Sequence, residues 1–224
     1  MKKIEDVAIV IQARLSSQRI PQKMIRPFAG TTLTDIFLEK VKQCKSFPMR
    51  NFYFSAYEDQ LIEKASKHHV NVFKRSKESA MSEGTPMSLM YEWHDKLPHK
   101  YVILINACVP FLKPSTIDSF VEAYLQTEKT GLFAVMEKKN YFWNNDGKIL
   151  TPLTEDVMNT KTVQVTYEAA HCLYASRLDT IKDGIWMGDF MKDEIKLFSV
   201  EEQEVFDIDY PWQFNLCEKL WGEK

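Results

Sequence analysis

The sequence predicts an α/β protein built on a doubly wound, mostly parallel sheet. Three observations carry this expectation. Short apolar runs alternate with amphipathic stretches along most of the chain. The stretch from Tyr101 to Ala107 is almost unbroken in its apolarity, as strands covered on both faces are. A loop crowded with cations and hydroxyls follows the first apolar run directly, where such folds hold phosphate groups.

The elements follow in order. Asp6 to Gln12 reads as a buried strand, and Thr32-Leu33-Thr34-Asp35 opens an amphipathic helix that runs to about Gln43. Asn51 to Ser55 is a second strand; Glu58 to His68 is helical, with Leu61, Ile62 and Ala65 on one face. Val70 to Phe73 makes a short strand, Pro86 to Leu97 a helix, and Tyr101 to Ala107 a central strand. Lys113-Pro114-Ser115-Thr116 starts a helix ending near Thr127, because proline suits a first helical turn, and Gly131 to Met136 is another strand. Strand and helix alternating in this way imply right-handed crossovers. Regularity fails between Glu137 and Val165, where Asn144-Asn145-Asp146-Gly147 supplies a turn and Tyr141, Phe142 and Trp143 cluster.

Composition narrows the function. The 224 residues are 45% hydrophobic and 27% charged, enough for one sizeable core, so residues 1–224 are read as a single domain. With 29 basic against 31 acidic residues the net charge is −2, which offers no bulk attraction for nucleic acid or an anionic membrane. The apolar run after Met1-Lys2-Lys3 breaks at Gln12 and Arg14, too soon for a signal or spanning segment, so a cytoplasmic protein is expected. Cys44, Cys108, Cys172 and Cys217 are far apart and form no zinc or disulfide pattern.

Two segments carry chemistry. The loop Arg14, Ser16, Ser17, Gln18, Arg19 and Lys23 lacks the glycines of a dinucleotide fingerprint and the glycine-lysine ending of a P-loop, yet it points to a nucleotide. Far downstream, Phe206-Asp207-Ile208-Asp209-Tyr210-Pro211 places two carboxylates around one apolar residue. In extended backbone, residues i and i+2 share a side, so Asp207 and Asp209 are positioned to share a hard divalent cation. The bland alternative for Asp209 is capping of the last helix. A cationic loop facing paired carboxylates points to metal-assisted phosphoryl chemistry.

The chain from Gln12 to Ile25, QARLSSQRIPQKMI, resembles the opening signature of the acylneuraminate cytidylyltransferases, the CMP-sugar-acid synthetases, and FDIDYPWQF resembles their closing aspartate segment. This resemblance implies a Rossmann-like nucleotidyltransferase fold and transfer of CMP from CTP to a sugar acid or related hydroxylated acceptor for surface glycan synthesis, with pyrophosphate released. It implies Arg14, Lys23 and Asp209 as catalytic, with Arg14, Ser16, Ser17, Gln18, Lys23 and Arg75 at the nucleotide. Asp207 and Asp209 would hold Mg²⁺, and Asn106, Gln164 and His171 would meet the acceptor. It also implies a homodimer in which residues 137–165 pack on a second subunit and close the pocket. Asn106 stands where sialic-acid enzymes have glutamine, and Ala170-His171 where they have asparagine-glycine, so the acceptor pocket is expected to differ. The serine and threonine that face the nucleotide in relatives do not align clearly with residues 82–88.

Two other readings compete. A metal-dependent α/β glycosyltransferase also carries an aspartate pair, though usually in mid-chain and without the QARLSSQRIPQK loop. A non-catalytic relative that binds a nucleotide without turnover would explain the changed Asn, Ser and Thr positions, but not the retention of Arg14, Lys23, Asp207 and Asp209.

Overall fold

The computed structural model describes residues 1–81, 84–151 and 159–223. Among them, seven strands form one sheet in the order β3-β2-β1-β4-β6-β5-β7. The strands are β1 (Val7–Gln12), β2 (Phe52–Ala56), β3 (Asn71–Lys74), β4 (Tyr101–Ile105), β5 (Gly131–Lys138), β6 (Thr166–Arg177) and β7 (Ile195–Ser199). β1 to β4 pair in parallel, as do β5 and β7, while β6 runs antiparallel to both neighbours. The mostly parallel sheet read from the sequence is what the chain forms.

β1 lies between β2 and β4, so the chain winds to one side of β1 and then crosses to the other. That reversal opens a crevice at the carboxyl ends of β1 and β4, the usual ligand position in open α/β sheets. Val7 to Ile11 are fully buried, as the hydrophobic run requires. Each valine and isoleucine side chain of the run contributes about 1.5–3 kcal/mol by leaving water, which fixes β1 as a rigid base for the loop that follows it.

Helices α1 (Leu33–Gln43), α2 (Asp59–Lys67), α4 (Pro114–Gln126) and α5 (Pro211–Gly222) cover the sheet. Thr32 caps α1 by accepting from the Asp35 N–H at 3.2 Å, and Pro114 and Pro211 occupy first turns, as their fixed φ favours.

The helix expected over Pro86 to Leu97 is interrupted. A single turn, α3 (Met87–Met90), gives way to a 3-10 turn at Glu92–Asp95, with Tyr91 outside helical backbone at φ −108°, ψ 43°. This break lets the Tyr91 ring stack on Trp186, centroids 4.9 Å apart, and drives Trp93 to full burial. Aromatic burial outweighs local helix propensity here. The sequence does not mark β7, a short Ile195–Ser199 run whose side chains are half-buried or exposed. In the excursion after β5, an isolated bridge joins Trp143 to Ile149 around Gly147, whose φ of 77° suits glycine. Residues 152–158 of the 137–165 segment lie outside the described residues, as do positions 82 and 83.

Candidate active site

β1 ends at the switch point, and the loop after it is fastened from beneath. The Ala13 N–H donates to the Ser55 carbonyl at 2.9 Å, the Leu15 N–H to Glu58 Oε1 at 2.8 Å, and Ser16 Oγ to the Ala80 carbonyl at 3.1 Å. Arg14 Nη1 donates to the Met81 carbonyl at 2.7 Å. Arg75, expected at the nucleotide, supports the loop instead. It leaves β3 pointing inward and is buried, with its guanidinium donating to the carbonyls of Ala13 at 3.0 Å and Ser79 at 3.3 Å. Burial pushes its pKa down to about 10 despite nearby Glu58, still far above neutral pH. A cation there orders backbone.

The acidic couplet meets this loop. The Ile208 N–H donates to the Cys108 carbonyl at 2.9 Å and its side chain is fully buried, which ties the segment to the β4 end. Lys23, itself buried, donates from Nζ to the Ile208 carbonyl at 2.5 Å and lies 3.7 Å from Asp209 Oδ1. Arg19 Nη2 donates to the same Asp209 oxygen at 2.8 Å, and its guanidinium stands 5.0 Å from the Tyr210 ring centroid. Arg19, to which the resemblance assigns no role, spans the site. Asp209 does not cap α5 with its carboxylate. Gln213 Oε1 accepts from the Asp209 and Tyr210 N–H groups, each at 2.7 Å.

Two adjoining cavities open at this edge. One, of about 450 Å³, is lined by Arg14, Ser17, Gln18, Lys23 and Asp209, with Gln12 and Cys108 at its wall. Ser16 and Arg75 are not among its lining residues. The second, of about 390 Å³, is lined by Asn106 and His171 with an aromatic wall of Tyr91, Phe133, Tyr174 and Trp186. Gln12 borders both. Gln164, expected at the acceptor, is exposed ahead of β6 and lines neither cavity, because β6 begins only at Thr166 and carries its later residues to the site.

The backbone of His171 is left-handed, φ 49°, at the irregularity where the β5 pairing jumps from Phe133 opposite Tyr174 to Val135 opposite Ala169. Bulges of this type re-aim side chains beside functional sites. Asn106 holds it there, donating from Nδ2 to the His171 carbonyl at 2.8 Å while Oδ1 accepts from the Cys108 N–H at 2.9 Å. Tyr174 OH lies 3.3 Å from His171 Nδ1.

Among the described residues no group of three or more His, Cys, Asp or Glu converges on one point. The aspartate pair nonetheless fits a hard cation. Asp207 Oδ1 is buried without a hydrogen-bond partner, and burial followed by the charge of Asp209 holds the Asp207 carboxyl above its ordinary pKa. A divalent ion relieves both penalties, and Mg²⁺ commonly takes one or two carboxylates together with substrate phosphates and water.

The sheet order and the position of these cavities define an α/β protein of the nucleotidyltransferase fold. A family model described as cytidylyltransferase matches residues 8–221, and the chain belongs to that family. It is 26% identical over 182 residues to a 3-deoxy-manno-octulosonate cytidylyltransferase of Rickettsia felis, covering 77% of this chain and 64% of that protein. It is 26% identical over 216 residues to an N-acylneuraminate cytidylyltransferase of Oncorhynchus mykiss, covering 92% of this chain and 48% of that protein. The chain therefore spans less than two thirds of these relatives. In three dimensions it is similar to a CMP:2-keto-3-deoxy-manno-octonic acid synthetase complexed with CTP, with a TM-score of 0.70 at 13% identity over 97% of this chain and 98% of the other. At that identity the likeness is one of fold.

Proposed function

We propose that the protein transfers CMP from CTP to a hydroxyl of a sugar acid or related hydroxylated acceptor, releasing pyrophosphate, as a step toward a surface glycan. The observation that carries this is the convergence of Lys23 and Asp209, from opposite ends of the chain, on one cavity beside a second, aromatic-walled one. Family membership and the printed activities of the relatives support the choice of cytidine and of sugar-acid acceptors.

In this reaction the acceptor oxygen bonds to the α-phosphorus while the bond to pyrophosphate breaks in line, and the hydroxyl proton passes to solvent. Positioning and charge neutralisation dominate such steps. Arg14 offers a planar fork and Lys23 a point charge to the triphosphate, with Ser17 and Gln18 as polar neighbours. Asp207 and Asp209 would hold Mg²⁺, which supplies charge neutralisation at the phosphates and acidifies a nearby hydroxyl. Asn106 shapes the acceptor cavity by holding the His171 carbonyl, leaving the imidazole facing the acceptor.

Residues 137–165 carry the contact with a second subunit in this reading, with exposed Trp143 and Leu150 in the contact. No helix of the described residues is long and apolar enough to cross a membrane. The decisive experiment incubates the protein with each of the four NTPs, Mg²⁺ and a panel of sugar acids, and follows pyrophosphate. Release that requires both CTP and an acceptor is expected. Release without acceptor, or turnover only of a nucleotide-sugar, overturns the proposal.

A further inference from the structure

Gln12 is the last residue of β1 and touches both cavities, yet none of the expected roles includes it. Its orientation is set by chemistry. The indole Nε1 of Trp93 lies 2.8 Å from Gln12 Oε1, and an indole N–H can only donate, so the atom facing it must be the amide oxygen. The amide NH₂ is therefore the end left for the cavities.

Trp93 is itself immobilised. It is fully buried, and its ring packs 5.3 Å from Tyr91 and 6.3 Å from Trp186, both of which line the aromatic-walled cavity. The interruption of the predicted helix at Tyr91 is what brings these rings together. A neutral donor is thus held rigidly where the two cavities join.

We propose that Gln12 is a catalytic residue whose NH₂ donates to a non-bridging oxygen of the α-phosphoryl group during transfer, and that Trp93 is the positioning residue that aims it. The inference rests on the nucleotidyl transfer proposed above. The new bond must form between a phosphate in one cavity and a hydroxyl in the other, and Gln12 stands at that seam. Its amide hydrogen-bonds to the oxygen as charge redistributes and exchanges no proton, so the balance of the step is unchanged. A fixed neutral donor of this kind resembles an oxyanion-hole amide in its action.

The test compares wild type, Q12L, Q12E, W93F and the double variant Q12L/W93F in pyrophosphate release, with CTP–Mg²⁺ binding titrated separately. Q12L is expected to lower kcat about 100-fold while the Kd for CTP stays within about two-fold, because the bond strengthens only in the transition state. W93F keeps the packing and deletes the N–H; it should lower kcat about ten-fold alone and add nothing in the Q12L background. Q12E retains the acceptor for Trp93 but no donor for the phosphate, so it serves if Q12L does not fold, and should lose at least as much. Wild-type kcat in a folded Q12L or Q12E overturns the catalytic role. A full additional W93F loss in Q12L overturns the positioning role. Absence of pyrophosphate release by wild type overturns the transfer reaction and this inference with it, an outcome distinct from normal wild-type turnover with unaffected variants.

Discussion

The Lys23 ammonium lies 3.7 Å from Asp209 Oδ1 while donating to the neighbouring Ile208 carbonyl at 2.5 Å. The carbonyl anchors the lysine and leaves its charge directed across the cavity. Asp209 is thereby neutralised on one oxygen by Lys23 and Arg19. In the proposed reaction, a triphosphate competes with Asp209 for these cations and a divalent ion competes with them for Asp209.

Replacing Lys23 by Ala should reduce kcat/KM for CTP by about 100-fold, the scale of losing one transition-state charge contact. It should also lower the melting temperature, because the Ile208 carbonyl loses its donor. Steady-state kinetics beside calorimetry check both effects. An unchanged kcat/KM would remove Lys23 from the chemistry.

Asp209→Ala is expected to abolish Mg²⁺-stimulated pyrophosphate release while leaving cooperative unfolding intact, since Gln213 and not this carboxylate caps α5. Magnesium titrations of activity, with circular dichroism for the fold, are sufficient. Ordinary metal dependence in the variant would dismiss the assignment.

Asp207 predicts an inverse relation between stability and function. Its folded pKa is raised, by burial and then by Asp209, above the ordinary value of 3.8. Between those two values the folded state binds more protons than the unfolded state, so stability falls as pH rises through that window and the cost persists at neutral pH. Asp207→Asn should therefore raise the melting temperature at pH 7 without metal, flatten the acid side of the stability curve, and remove turnover. A lower melting temperature at pH 7 would contradict this account of the buried carboxyl.

Arg75→Lys should behave as a stability variant. An ammonium cannot reproduce the paired donation to Ala13 and Ser79. A loss of about 1–3 kcal/mol is expected in denaturant unfolding, as for a buried carbonyl left without its donor. If stability is untouched while the Kd for CTP rises, Arg75 faces the nucleotide after all.

Trp143→Glu should shift the protein toward monomer in light scattering if the 137–165 excursion carries the subunit contact. The residue is 52% exposed in the single chain, so folding itself should be unaffected. A dimer that persists would place the contact elsewhere.

Much of this was legible in the sequence where a signal is local. The buried run before Gln12, the Thr32 cap and the prolines at 114 and 211 each act within a few residues, and the strands and helices they mark are present within a residue or two. The meeting of loop and couplet was legible because one segment concentrates cations and the other carboxylates, charges of opposite sign that pair in the fold. What escaped depends on distant partners. Arg75 looks like any loop cation until the carbonyls of Ala13 and Ser79 surround it. Gln12 reads as the residue where a strand stops, and only Trp93, placed by a broken helix, turns it into a directed donor. Gln164 shows the converse: proximity in sequence to His171 did not carry it to the cavity, since the strand between them runs its early residues away from the site.

The bond from Arg19 to Asp209 closes a span of 190 residues. Synthesis from the amino end therefore yields most of the sheet, including the cationic loop, well before the acid that answers it emerges from the ribosome. Until then Lys23 has neither the Ile208 carbonyl nor the Asp209 charge to receive it. In the proposed reaction the charges that meet the phosphates are therefore assembled only when residues 207–209 join the loop, and the same late segment brings Ile208, Phe214 and Cys217 into the core.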